Sequence, residues 1–225
     1  MRWSVRTVGA AAVVLTLLGP ATAHSAPRRP ACHLITDPQG DTEVLTPDNQ
    51  QRLDIVSADV AANSRQLTAV IRLPALTGED PTDLAGRIYE FEFTAGPASF
   101  MLGAYLMYGG AHFEAYLTDQ PVQNAQASAQ SGTAIGRITG VIDTRRKEIR
   151  MSAPLSLFTQ NGAKLGNAPI DHLGAMTFWA RGTGSMASAG PVDSYGGPAV
   201  GSSVDIATSD KSIYVGWPSC VTIGR

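Results

Sequence analysis

Apolar and polar residues alternate with a period of two along most of this chain, and this pattern restricts the possible folds more than any other feature. Successive side chains of an extended strand point to opposite faces, so alternation marks a strand with one face against a core. "RIYEFEFTA" shows it most cleanly, setting Tyr89, Phe91 and Phe93 against Glu90 and Glu92. It predicts one core face and one wet face. "RLDIVSADV" puts Leu53, Ile55 and Ser57 on one side and Asp54, Val56 and Ala58 on the other. With "QLTAVIRL", beyond the turn-rich "AANSR", it predicts a hairpin over residues 53–73. "ASFMLGAYLMY" is apolar on both faces, as a strand covered on two sides is. Gly109-Gly110 suits the tight turn into "HFEAYL".

"IGRITGVID" and "KEIRMSA" flank a further hairpin turn, and "AMTFWARG" is a late strand. A helical stripe is missing; "APLSLFTQNGAKLG" predicts a single helical turn starting at Pro154. Between strands lie long segments of small polar residues, Gly and Pro, chiefly "DQPVQNAQASAQSG" and "GTGSMASAGPVDSYGGPAVGSS". Their length suggests functional or mobile loops. Many short strands separated by such turns predict an all-β fold, an antiparallel β-sandwich with long loops, with a closed barrel as the alternative.

The first 26 residues carry Arg2 and Arg6, an apolar run from Ala10 to Leu18, a Gly-Pro break and the small-residue triplet Ala21-Thr22-Ala23. These are the three regions of a secretory signal peptide, with cleavage after Ala23 or Ala26. The run is short of the about 20 residues a spanning helix needs. Residues 27–225 are then expected to form a single β-sandwich domain, secreted or associated with the cell wall, without stable membrane insertion. Cys32 near its start and Cys220 near its end predict a bridge between the two termini, since exported chains with an even cysteine count usually pair them.

Cleavage takes the counts from 17 basic and 19 acidic residues to 15 and 19. That balance argues against nucleic acid as a partner, and the one basic cluster, "TRRKEIR", reads as a solvated hairpin flank.

Beside Cys32 stands "CHLITDPQGD". Pro38 fixes one backbone angle and Gly40 opens another, so Asp37 and Asp41 can turn toward a common point, either as ordinary turn formers or as cation ligands. Calcium takes six to eight oxygens at about 2.3–2.6 Å, more than one turn supplies. The tail "SSVDIATSDKSIYVGWPSC" brings Asp205, Ser209 and Asp210 close in sequence to Cys220, so the predicted bridge draws two acidic segments together.

These stretches, with "LDIVSADVAANSRQLTAVIRL" and "YEFEFTA", resemble a family of exported bacterial, mostly actinobacterial β-sandwich proteins related in pattern to family 9 carbohydrate-binding-like and DOMON-like domains. The resemblance implies a structural calcium ion on Asp37 and Asp41, with Asp205 as a further ligand. It also implies a carbohydrate-binding-like module with polysaccharide as its partner.

Sugar sites lay aromatic rings against pyranose faces. Trp179 and Trp217 are the tryptophans beyond the signal segment, and both also suit packing roles. "AHFEAYL" places His112, Glu114 and Tyr116 on one strand face, a candidate ligand-binding trio or an ordinary exposed face. Asp171 and His172 are adjacent and are expected on opposite faces of an extended strand. With no Gly-x-Ser-x-Gly elbow, a serine hydrolase has little support, and the histidines lack zinc-site spacing. Met101, Met107 and His112 read as core methionines and a surface histidine rather than a haem site. Glu90 with Glu92 or Glu114 would suit glycoside cleavage if paired across a groove, and nothing in the sequence selects them. The expectation is a secreted binding protein without catalytic residues; an extracellular protein-interaction or envelope accessory protein is the alternative, and a secreted hydrolase the third reading.

Overall fold

The computed structural model describes residues 29–42, 51–77, 86–107, 110–118, 132–166, 168–180 and 203–223. Residues 1–26, expected to be a signal peptide, Gly109 and nearly all of the two long soft loops lie outside the described residues. In chain order the elements are β1 (Ile35–Thr36), β2 (Ser57–Ala62), β3 (Gln66–Arg72), β4 (Gly86–Ala95), β5 (Ala98–Met107) and β6 (Gly110–Thr118). Then come β7 (Gly132–Arg137), β8 (Thr139–Asp143), β9 (Glu148–Pro154), α1 (Leu155–Thr159), β10 (Ile170–Ala180) and β11 (Ser203–Ser209).

They form two antiparallel sheets, a five-stranded one in the order β1-β2-β3-β9-β8 and a six-stranded one in the order β11-β10-β4-β5-β6-β7. One core joins them. Ala58, Val60, Leu67, Ala69, Ile71, Ile149 and Met151 from the first sheet share a buried cluster with Tyr89, Phe91, Phe93, Phe100, Leu102, Leu173 and Ala175 from the second. This is the β-sandwich that the alternation predicts. α1 is the expected single turn, with Pro154 at its N-cap. It drops Phe158 onto Phe93 and Phe100, with ring centroids 5.3 and 5.2 Å away. These are edge-on contacts of the kind aromatic rings favour.

Three sequence expectations change. Residues 53–56 are not strand, and β2 begins only at Ser57. Leu53 and Ile55 are nevertheless fully buried, together with Ala58, so the core phase predicted across 53–58 breaks at the strand entry. The cause is tertiary: Ile55 N–H is drawn to Asp205 and Asp54 to Gly40, away from a ladder. "IGRITGVID" is split between the sheets, β7 in one and β8 in the other. The tail carries a strand that the alternation does not announce, β11, paired with β10.

The largest departure is on β4. Tyr89, Phe91 and Phe93 face the core as expected, yet Glu90 and Glu92 on the other face are 4% and 2% exposed. Around them Ile88, Met101, Tyr105, Tyr116, Met176 and Phe178 form a second buried cluster. The face predicted to be wet is dry.

Cys32 and Cys220 are bonded, with Cα atoms 5.3 Å apart. Ala31 N–H donates to Pro218 O at 2.8 Å and Cys220 N–H to Ala31 O at 3.2 Å, so the two chain ends run side by side. A bond of this kind fits an oxidising compartment outside the cytoplasm. No helix among the described residues is long and apolar enough to cross a membrane.

Candidate functional site

The first group of functional side chains is built by the turn that follows β1. Gly40 has φ 92°, a left-handed conformation that glycine adopts at little cost. Its N–H donates to both carboxylate oxygens of Asp54 at 3.0 Å. Asp37 N–H donates to Val56 O at 3.2 Å, so the turn is tied at two points to the irregular 53–56 segment. On the far side, Asp205 of β11 accepts from Ile55 N–H at 2.5 Å through Oδ2. The turn, the segment and the edge strand are thus locked together by backbone amides.

Asp37, Asp41 and Asp205 consequently converge, each offering an oxygen within 4.8 Å of the others. Two ligands on opposite sides of one calcium ion stand about 5 Å apart at most, from bond lengths of about 2.3–2.6 Å. The spacing fits one ion. Among the described residues, Asp37 Oδ2 is buried without a hydrogen-bond partner, and so is Thr42 Oγ1. No Lys or Arg forms an ion pair with these aspartates among the described residues. Burial, followed by the negative charges of Asp205 and Asp41, pushes Asp37 up to about 7. Burial also raises Asp205 against the pull of the Ile55 amide, and raises Asp54 against that of Gly40. The cluster is acidic and mutually repelling, with Asp205 oriented by the Ile55 amide, and carboxylates are the donors a hard divalent cation takes.

Asp54 was not singled out by its sequence context, which reads as one more polar position in an alternating strand. Its 1% exposure and its hold on Gly40 make it the support of the turn. Asp210 is exposed, and Ser209 Oγ accepts from Lys211 N–H. Neither belongs to the cluster.

The second group lies on the outer face of the six-stranded sheet. His112, Glu114 and Tyr116 do share that face, but it is not an ordinary exposed one. Tyr116 is 4% exposed and its hydroxyl donates to Glu114 Oε2 at 2.7 Å. His112 remains at the surface and stacks on Tyr105 with centroids 4.8 Å apart. Burial lowers the His112 imidazole from its usual value. Register places Glu114 opposite Gly103, which is itself opposite Glu90. Burial raises Glu90 to about 8; burial and then the charge of Glu90 raise Glu92 to about 9. Both carboxyls are shifted the same way. Glycoside cleavage uses two carboxyls on either side of a groove, whereas Glu90 and Glu92 stand two residues apart on one buried face of β4.

Trp179 stands in β10 opposite Arg87, and its side chain lies outside the described residues. Met107's side chain does too, while Met101 is buried. Trp217 is half-buried against the core, 4.8 Å from the ring of Tyr214, which is 36% exposed.

Asp171 and His172 come together, contrary to the expectation from strand geometry. The ladder between β4 and β10 shifts register between Asp171 and Gly174, and His172 adopts φ 47°. The bulge turns both side chains onto Thr94. His172 Nδ1 lies 3.0 Å from Asp171 Oδ1 and 3.0 Å from Thr94 Oγ1, and the Thr94 hydroxyl also donates to Asp171. A nucleophile–base–acid relay needs hydroxyl and carboxylate on different ring nitrogens. Here both sit at Nδ1, which makes the trio a clamp on the bulge.

Comparison of the chain with known protein families, with curated proteins and with solved structures gives no match.

Proposed function

We propose that this protein is an exported β-sandwich binding protein of the carbohydrate-binding-like kind, without catalytic residues. A structural calcium ion at Asp37, Asp41 and Asp205 and the Cys32–Cys220 bond fasten its chain ends. The observation that carries the reading is the convergence of three carboxylates from opposite ends of the chain within 4.8 Å. Such an ion neutralises the repulsion that otherwise pushes Asp37 upward, and it stiffens the turn beside the disulfide. The millimolar calcium of an extracellular medium fills even weak sites of this type.

Tyr214 and Trp217 add support for the sugar side, because their neighbouring rings give an aromatic surface beside the chain ends. The large apolar residues exposed among those described are Val56, Val141 and Tyr214, from separate parts of the chain. Scattered exposure of that kind is ordinary on a soluble surface and does not favour an apolar protein-docking face.

Thermal unfolding of the oxidised protein in calcium and in chelator tests the reading. Free calcium at 100 times Kd stabilises by about 2.7 kcal/mol through mass action. The Asp37→Ala, Asp41→Ala variant loses that shift. Equal midpoints in calcium and chelator for the unsubstituted protein sink the calcium assignment. Sedimentation with insoluble polysaccharide, with and without Trp217→Ala, addresses the sugar; retention unchanged by the substitution removes the aromatic pair from the site.

A further inference from the structure

The two sheets treat the polar residues of their outer faces differently. On the five-stranded sheet Arg72 pairs with Asp59 at 2.6 Å and with Glu148 at 2.9 Å. Thr68 and Ser152 share a hydrogen bond of 2.8 Å. On the six-stranded sheet Glu90 Oε2 and both oxygens of Glu92 are buried with no hydrogen-bond partner among the described residues. Unpaired buried carboxyls cost free energy that an apolar residue at the same position would not. Nothing in the fold's own architecture calls for two of them on adjacent outward positions of a central strand.

The surroundings describe what is missing. Glu90 lies between Met176 and Gly103, and Glu92 between Gly174 and Met101. The glycine at 103 leaves room for the Tyr105 ring, since a Cβ there would stand 2.6 Å from it. Tyr105 thus folds back toward Glu90, with Tyr116 edge-on at 6.2 Å. Of the other charged groups on this face, Glu114 is engaged by the Tyr116 hydroxyl and stands opposite Arg137 in β7, His112 lies against Tyr105, and Asp171 and His172 close on Thr94. No Lys or Arg pairs with Glu90 or Glu92 among the described residues. Three carboxyl oxygens without partners among the described residues are thus buried beside aromatic rings and methionines.

A primary ammonium has three N–H donors and no acceptor, and aromatic faces attract cations. We propose that this face is a binding site for a primary amine carried on an apolar stem, Glu90 and Glu92 receiving the ammonium while Tyr105, Tyr116, Met101 and Met176 flank the stem. The inference rests on the reading of the protein as a binding module. It uses no residue of the aspartate cluster, so either assignment can fail alone.

The test is isothermal titration of the full oxidised protein with n-hexylamine, n-hexanol and hexyltrimethylammonium. Saturable binding of hexylamine is expected, at least tenfold tighter than either control. The Glu90→Gln, Glu92→Gln variant, folded by circular dichroism, is expected to lose at least tenfold in affinity. Glu92→Gln alone serves if the double variant does not fold. No saturable binding of hexylamine overturns the proposal, as does unchanged affinity in the glutamine variant. Hexanol or hexyltrimethylammonium binding as tightly as hexylamine overturns the ammonium assignment.

Discussion

Two sets of carboxylates are buried in this sandwich under opposite conditions. Near the chain ends backbone amides hold two of the aspartates, Gly40 on Asp54 and Ile55 on Asp205, while Asp37 Oδ2 lacks a partner among the described residues. Of the four carboxyl oxygens of the β4 glutamates, three lack partners among the described residues. Both sets are pushed upward by burial, but only the first converges on a point where a divalent cation would reverse the shift. A raised carboxyl is therefore not informative by itself; the donors around it decide whether a charge or a proton belongs there.

The pH dependence of stability gives the widest separation of the two. Glu90 and Glu92 rise from the usual 4.5 to about 8 and about 9 in the folded protein, so the folded state binds more protons than the unfolded one between those values. Their favourable contribution is complete below about 4.5 and is lost as pH climbs through 8 to 9. The unfolding midpoint of the native protein is expected to fall steadily from pH 5 to pH 9, and that of Glu90→Gln, Glu92→Gln to fall much less. Asp37 works in the same direction in both proteins, so parallel curves would remove the glutamates from the account.

Opening the disulfide strikes the aspartate region instead. A loop of 188 residues contributes on the order of 5 kcal/mol in the chain-entropy model, an upper figure. Denaturant unfolding of Cys32→Ala, Cys220→Ala is expected to show most of that loss, together with a smaller calcium response. A full calcium response in this variant would mean that β1, β11 and the 53–56 segment align the aspartates without help from the bond.

Single substitutions have smaller effects, of opposite sign at the two sites. Asp205→Ala strands the buried Ile55 N–H and costs about 1–3 kcal/mol. Glu92→Leu replaces an unpartnered buried carboxyl with an apolar side chain and stabilises by about 1–3 kcal/mol, at the expense of amine binding. A destabilised Glu92→Leu protein would show that the glutamate is satisfied in solution after all.

The alternation, the paired cysteines and the Asp-Pro-Gln-Gly-Asp turn made the sandwich, the tie between the termini and the approach of Asp37 to Asp41 legible in the sequence. Each is a local or countable property. Which side chains share a strand face follows from backbone geometry alone, and two cysteines have one way to pair within the chain. Whether a face is wet depends on what packs over it, so Glu90 and Glu92 read as solvent-facing in the sequence although they lie beside the outer cluster around Ile88 and Phe178. The reach of Asp54 across 14 residues to Gly40, and of Asp205 across 150 to Ile55, is likewise invisible to any pattern of neighbours. The bulge that joins Asp171 to His172 arises from a register shift against β4, a relation between strands. Which residues share a face is set within a strand and so is written locally in the chain. Which of those faces are dry and which carboxylates meet depends on packing between strands distant in the chain, where no local pattern reaches.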